Sequence, residues 1–369
     1  MIPFNDPSAS YIKHKEEIDM AIHRVLDSGW FVLGKEVFAF EKEFAAFHDD
    51  DFHAVGVANG TDAIALCLRS LGLEKGDEVI TPSHTAVATV AGIEQAGCTP
   101  VFADIDPNTR CIAPKSIEER VSSNTRAIMP VHIYGQPAEI DKILDIAQAN
   151  NLDVVEDCSQ AHGAEIDGQK VGTFSDFSAY SCYPTKNLGG TGDGGVILCR
   201  SEKFAEKIRS LRQYGWNEER ESITPGFNSR LDELQAAILR VKLKHLADDN
   251  AKRKAIALRY NEGFKDLSIT LPAIAENQLH AMHLYVIECD RRNELMKYLR
   301  FHQIGASLHY SKAVHQNAAY SDRIRGGDNL PVTDHFYQRN LTLPMYPELS
   351  NDAVEHIIST VQNWFRENN

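Results

Sequence analysis

At 369 residues, 43 % of them hydrophobic and 24 % charged, the chain can bury a sizeable core, and its length points to one large domain with a smaller one beside it. Its 38 Lys and Arg against 52 Asp and Glu leave a net charge of -14, which repels nucleic acid when no basic patch is concentrated anywhere. No run approaches the roughly 20 apolar residues that span a bilayer, so neither a nucleic-acid partner nor a membrane span is expected.

The N-terminal "MIPFNDPSASYIKHKEEIDMAIHRVL" lacks the basic start and apolar block of a secretory signal, and a cytoplasmic protein is expected. From about residue 53 to 200, the short apolar runs "HAVGVA", "DEVITPS", "TPVFADI", "AIMPVHIYG", "LDVVEDCS", "DFSAYSCY" and "GGVILCR" alternate with helical patterns. This rhythm predicts an α/β fold with a largely parallel sheet covered on both faces. Glycines rather than a helix separate the last two runs, which predicts one antiparallel strand. Beyond residue 200, "SEKFAEKIRSLRQYG" and the long stretch from "LDELQAA" to "NEGFK" repeat apolar residues three and four apart, the spacing of extended helices. The strand-like "HLYVIECD" and the helical "RNELMKYLRFH" and "NDAVEHIISTVQNWFREN" then suggest a small α+β domain. The expected division is 1–243 for a large domain with an N-terminal arm and 244–369 for the small one. Seven scattered cysteines with no C-x-x-C pair read as reduced packing residues, and His309 and His315, six apart without a ligand set around them, predict no metal site.

The chemistry concentrates around "YSCYPTKNLGGTGDGG", residues 180–195. Gly190, Gly192 and Gly195 satisfy G-x-G-x-x-G, but a dinucleotide fingerprint opens a helix and this run leads into a strand. A P-loop fails as well, because its lysine follows the glycines and Lys186 precedes them. On this stretch alone Lys186 reads as a solvated loop lysine. Upstream, Asp157 closes "LDVVED", the strand end where open α/β sheets place ligands, although an aspartate there is equally a turn cap. In "VANGTDAIALCLRSLG", Gly60 lets the backbone approach a ligand, Thr61 offers a hydroxyl, and the first helical amides favour an anion. Alone this too is only a good helix start. Together a phosphate cradle, a strand-end aspartate and a lysine before glycines are the parts of a pyridoxal-phosphate enzyme. Lysine bonds the cofactor and later moves a proton, the aspartate keeps the pyridine nitrogen protonated, and the cradle anchors the phosphate while the lysine is displaced.

The motifs "NGTDAI", "GDEVITPSHT", "VFADIDP", "MPVHIYGQ", "VVEDCSQAHGA", "YPTKNLG", "GDGG" and "GFNSRLDELQAA" occur in this order and resemble the DegT/StrS family of PLP-dependent nucleotide-sugar aminotransferases over nearly the whole chain. The resemblance implies fold type I: a mostly parallel mixed sheet in the large domain and a smaller α+β C-terminal domain. It also implies that Lys186 carries pyridoxal 5'-phosphate, Asp157 pairs with the pyridine nitrogen, Gln160 meets the phenolic oxygen, and Gly60, Thr61 and Ser181 hold the phosphate. Asn228, otherwise a plain helix cap, would reach that phosphate from the neighbouring subunit of a homodimer with shared active sites. Relatives often carry an aromatic residue where this chain has Ala86, so His84 or Thr85 is expected to cover the ring. They also often have prolines in place of Ser311 and Ala313.

For substrate, His309, Tyr310 and Tyr183 are the polar aromatic candidates, His309 also as a proton carrier, with Trp30 and Arg230 placed by the resemblance. "LRQYGWNEER" and "PSHTAVAT" resemble members acting on a dTDP-3-keto-6-deoxyhexose with L-glutamate as donor, in making an aminosugar for surface glycans or lipopolysaccharide. The alternatives are a 4-keto sugar aminotransferase and a noncatalytic PLP-binding sensor of the same fold. A sugar dehydratase of the family would have histidine where Lys186 stands, and a nucleotide-dependent oxidoreductase rests only on the misplaced glycine match.

Overall fold

The fold is described for residues 1–368 by a computed structural model. Three helices, α1 (Pro7–Lys13), α2 (Lys15–Ser28) and α3 (Lys35–His48), precede β1 (His53–Val57). An alternating run follows: α4 (Gly60–Leu71), β2 (Glu78–Pro82), α5 (Val87–Gln95), β3 (Thr99–Ala103), α6 (Pro114–Glu118), β4 (Thr125–Ile128), α7 (Ile140–Asn150) and β5 (Asp153–Asp157). After the short β6 (Glu165–Ile166) and β7 (Gln169–Lys170) come β8 (Phe177–Ser181) and β9 (Gly195–Cys199). Seven strands form one sheet in the order β1-β9-β8-β5-β4-β2-β3. All neighbours are parallel except β9, which runs antiparallel to both β1 and β8, the antiparallel strand expected from the glycine-rich connection.

The sheet is dry on both faces, which explains why its strands read as continuous apolar runs rather than alternating ones. Ala54, Val196, Leu198 and Tyr180 point into one core with Phe40, Phe44 and Leu239. Val55, Val57, Ile197 and Phe177 point into the other, under Ile64, Leu68 and Ile208. Burying an aliphatic side chain of this kind stabilises by roughly 1.5–3 kcal/mol, so these two layers hold the strand ends at fixed relative positions.

After α8 (Glu202–Leu211), the chain enters α9 (Glu233–Phe264), a 32-residue helix. Its first half packs on the sheet through Leu239, Leu243 and Leu246. Its second half contributes Ile256, Tyr260 and Phe264 to a separate core. That core is completed by β11 (Tyr285–Glu288), α10 (Arg292–Phe301), β12 (Asn340–Leu343) and α12 (Asn351–Asn368), with β11 and β12 antiparallel; the short β10 (Gln278–Leu279) pairs instead with β6, and α11 (Pro331–Arg339) packs on β11. The first residues join this second core: Ile2 bridges Ile304, and Met345 N–H donates to the Phe4 carbonyl at 3.0 Å. No helix among the described residues is long and apolar enough to cross a membrane.

Candidate active site

Sheet register brings the motifs together. Val57, Gly195 and Ser181 lie side by side, and Asp157 is opposite Ala179 one strand further on. The segments leaving β1, β5 and β8 and the one entering β9 therefore meet along a single edge. At the first, Asn59 caps α4 by accepting from Asp62 N–H at 2.8 Å, and its carbonyl takes Ala63 N–H. The amides of Gly60 and Thr61 find no acceptor among the described residues. A methyl group at Gly60 would meet Ser181 Cβ at 2.7 Å, so only glycine lets this helix start close over the end of β8.

The loop after β8 closes on itself through Cys182 N–H to Gly194 O (2.7 Å), Gly190 N–H to Cys182 O (2.8 Å) and Lys186 N–H to Tyr183 O (2.8 Å). A side chain at Gly189 would strike Pro184 O at 2.5 Å. Helix α9 holds the loop from below: Gln235 accepts from Thr191 N–H, Lys242 donates to Gly189 O, and Asn250 accepts from Asn187. These three lie seven and eight residues apart, on one face of the helix. The glycines thus fold the chain back tightly and project Lys186, instead of cradling a phosphate themselves.

Lys186 sits at the junction of two cavities. One, of about 250 Å³, is lined by Gly60, Thr61, Thr89, Asp157, Gln160 and Ser181. The other, of about 210 Å³, is lined by Phe4, Asn5, His283, His309 and Tyr310. Lys186 and Tyr183 belong to both. Burial pushes the Lys186 ammonium down to about 8, against the pull of the Asp157 charge. Roughly a quarter of the amine is then neutral at pH 7.5, which is what a nucleophile or base requires. Asp157, at the end of β5, receives Thr89 Oγ1–H at 2.8 Å and Ser159 N–H at 3.1 Å.

Gln160 is fixed in one orientation. Its Oε1 accepts from Tyr134 N–H at 2.8 Å and its Nε2 donates to the Tyr310 hydroxyl at 3.0 Å. Tyr134 reaches this position with a left-handed backbone (φ 59°), and its hydroxyl donates to the His309 carbonyl. The His309 ring pairs with Thr342 Oγ1 at 2.9 Å and packs against Phe4. Burial and the neighbouring Lys186 charge hold it down at about 4, a neutral imidazole. Burial lifts the Tyr310 phenol to about 12.

Several expected site residues lie elsewhere. His84 is fully buried behind the wall made by Thr85 and Ala86, with Nδ1 3.0 Å from the Tyr337 hydroxyl and its ring edge-on to Phe336. It therefore does not border the cavity it was expected to cover. Trp30 is 63 % exposed and lines a different cavity with Arg24, Glu36 and Phe38. Asn228 is exposed and bridges Gln213, and Arg230 is half-buried; neither borders the two cavities at Lys186. Of the two residues expected to cover the ring, Thr85 does border the cofactor cavity, whereas Thr89 and Phe4 are wall residues that the sequence reading does not include. The only local sign of Thr89 is its place four residues after Thr85 at a helix start.

The donor set suits pyridoxal phosphate. The glycine-only cradle, the two free amides and the Thr61 and Ser181 hydroxyls can take a phosphate, Asp157 a protonated ring nitrogen, Gln160 a phenolic oxygen, and the partly neutral Lys186 amine an aldehyde. These features define a fold type I pyridoxal-phosphate transferase. The chain belongs to the DegT/DnrJ/EryC1/StrS aminotransferase family, whose profile matches residues 12–362. It is 41 % identical to the dTDP-3-amino-3,4,6-trideoxy-alpha-D-glucose transaminase of Streptomyces venezuelae, over 98 % of this chain and 96 % of that one. It is also 41 % identical to the dTDP-3-amino-3,6-dideoxy-alpha-D-galactopyranose transaminase of Aneurinibacillus thermoaerophilus, over 99 % of both. The solved structure of S. venezuelae DesV in complex with a ketimine intermediate superposes with a TM-score of 0.95, at 41 % identity over 98 % of each chain. The protein is accordingly a PLP-dependent sugar aminotransferase.

Proposed function

We propose that the protein transfers the amino group of L-glutamate to the 3-keto carbon of a dTDP-linked 6-deoxyhexose, as a cytoplasmic homodimer supplying an aminosugar for surface glycans or lipopolysaccharide. The observation that carries this reading is the half-buried, partly neutral Lys186 amine shared by two cavities, one suited to the cofactor and one lined by polar aromatic groups. Pyridoxal phosphate, when bound, supplies an aldehyde that takes up the amino group and a ring that accepts an electron pair.

The residues divide the remaining work. Gly60 and Thr61 amides with Ser181 Oγ anchor a phosphate, so the cofactor stays when Lys186 lets go. Asp157 keeps a proton on the ring nitrogen. Gln160, with its amide held by Tyr134 and Tyr310, has a remaining N–H to aim at a phenolic oxygen. Once displaced, the neutral Lys186 Nζ takes and returns the substrate proton. On the other side, His309 and Tyr310 offer neutral donors and acceptors to sugar hydroxyls, and Tyr183 stands between the two cavities. Among the described residues Lys186 is the only cation bordering the cofactor cavity, which supports a phosphate ligand from a second subunit. Asn228 and Arg230 suit that role, and the exposed Trp30, Phe31 and Phe38 suit the contact that would bring a second subunit there.

The test is to convert the PLP-loaded protein to its amino form with L-glutamate and then add 3-keto or 4-keto dTDP-6-deoxyhexoses. Recovery of the original spectrum with the 3-keto sugar is expected. Recovery with the 4-keto sugar alone reassigns the position, and failure of glutamate to change the spectrum would make the protein a PLP-binding sensor.

A further inference from the structure

The carboxylate of Asp157 does not stand alone in its cleft. Thr89 Oγ1 lies 2.8 Å from its Oδ2, and Thr85 Oγ1 lies 2.6 Å from Thr89 Oγ1. Ser159 N–H donates to the other oxygen, Oδ1, at 3.1 Å. Asp157, Thr89 and Thr85 are 3 %, 1 % and 2 % exposed, so water does not substitute for these bonds. Both threonines border the cofactor cavity.

Proton counting gives the chain a direction. An ionised carboxylate only accepts, so Thr89 must donate its single hydroxyl proton to Oδ2. Its bond to Thr85 must then be received, and Thr85 is the donor. Each hydroxyl therefore has one permitted orientation, Thr85 to Thr89 to Asp157, and Thr89 supplies the only hydrogen bond to Oδ2 among the described residues. The scaffold explains the arrangement. β4 separates β2 from β5 in the sheet, and the start of α5, with Thr89 N–H bonded to Ala86 O, carries the hydroxyls across it to the end of β5.

We infer that Thr89, directed by Thr85, is the positioning residue that aims Asp157 at the cofactor's ring nitrogen and leaves the shared proton on the ring. This rests on the cofactor role proposed for Asp157. Without the Thr89 hydroxyl, Oδ2 is buried and unpartnered, and the carboxylate can turn away or take the proton itself.

The experiment uses the PLP-loaded full chain and reads three quantities: the pH midpoint of its visible absorption change, the cofactor dissociation constant, and the single-turnover rate with L-glutamate. Thr89→Val, which keeps the shape, is expected to shift the midpoint by about one pH unit and to weaken cofactor retention and slow the half-reaction by roughly tenfold or more, as for the loss of a hydrogen bond to a charged group. Thr89→Ser should restore most of this, and Thr85→Val should show a smaller shift of the same sign. A Thr89→Val protein with unchanged midpoint and retention overturns the inference, as does Thr89→Ser behaving like Thr89→Val, which would make the methyl group's packing the cause. Should Thr89→Val not fold, an unmoved midpoint in Thr85→Val overturns it instead. Asp157→Asn separates the two layers of the argument: if it too leaves the midpoint unmoved, the role of Asp157 has failed and not the relay alone.

Discussion

Lys186 shows how burial turns a common side chain into a reagent. Its neighbours supply one carboxylate, Asp157, and no dense set of acceptors, so the loss of hydration dominates and the ammonium falls to about 8. Covalent bonding of the cofactor aldehyde to the apo-protein should therefore rise with a midpoint near pH 8, not near the 10.5 of a free lysine; stopped-flow absorbance checks this, and a rate still climbing without a plateau at about pH 10 would place the midpoint at the higher value. Lys186→Ala should abolish turnover, since no other amine among the described residues borders the cofactor cavity, and added small amines should recover only a small fraction. Steady transamination by that variant without added amine would remove the role. Lys186 and Asp157 were legible in the sequence because each stands at a place with chemical meaning, a strand end or the turn before a glycine run. Thr89 was not, because its importance lies in a hydrogen bond to a residue 68 positions away. Between His84 and Thr85 the sequence offers no means of choosing, because only the fold sets His84 against Phe336 and Tyr337 and Thr85 on the cavity wall.

At the scale of elements, distant carboxylates finish helices that have no cap of their own. Helix α3 begins after Gly34, which has no side chain to offer. Glu233, at the first turn of α9, reaches over and accepts from Gly34, Glu36 and Val37 N–H at 2.8, 3.0 and 2.8 Å. It is 3 % exposed, and a methyl group at Gly34 would meet its Oε2 at 2.8 Å. Glu233→Ala should therefore cost about 3 kcal/mol, since it orphans three donors at a helix start. Glu233→Gln should cost less, because one amide oxygen can still accept. Thermal unfolding checks both, and a Glu233→Ala protein within 1 °C of the parent would show that water replaces the cap. The alternation of strands and helices, the antiparallel β9 and the continuous α9 all follow from periodicity and glycine placement in the sequence. The Glu233 cap and the N-terminal segment that walls the second cavity do not, because both depend on segments roughly 200 to 300 residues apart meeting in space.

For the whole molecule, protonation sets a lower pH limit. His48 and His309 are held down at about 4, and His84, His162 and His280 at about 3, in each case chiefly by burial. In the unfolded chain each takes a proton near 6.5. Between these values the unfolded state binds more protons, so stability present above about pH 6.5 is lost as the pH falls through 6.5 toward 4. At pH 5.5 the cost is roughly 1 kcal/mol for each histidine, several kcal/mol in all against a total of about 5–15. The cofactor-free protein should melt well below its pH 7.5 temperature when scanned at pH 5.5, and equal melting temperatures would mean that these imidazoles accept protons while folded. Assembly gives the second test at this scale. If Asn228 serves the partner's phosphate site, Lys186→Ala and Asn228→Asp should each be nearly inactive, the second because its carboxylate repels the phosphate. In a mixed dimer one site combines both lesions, whereas the other combines an intact Lys186 with an intact Asn228 from the opposite chain. Statistical exchange makes half the dimers mixed, and half of their sites intact, so mixing equal amounts should restore at most about a quarter of the parent activity. Sites built within one chain would give no recovery at any mixing ratio, because every chain would still carry its own lesion.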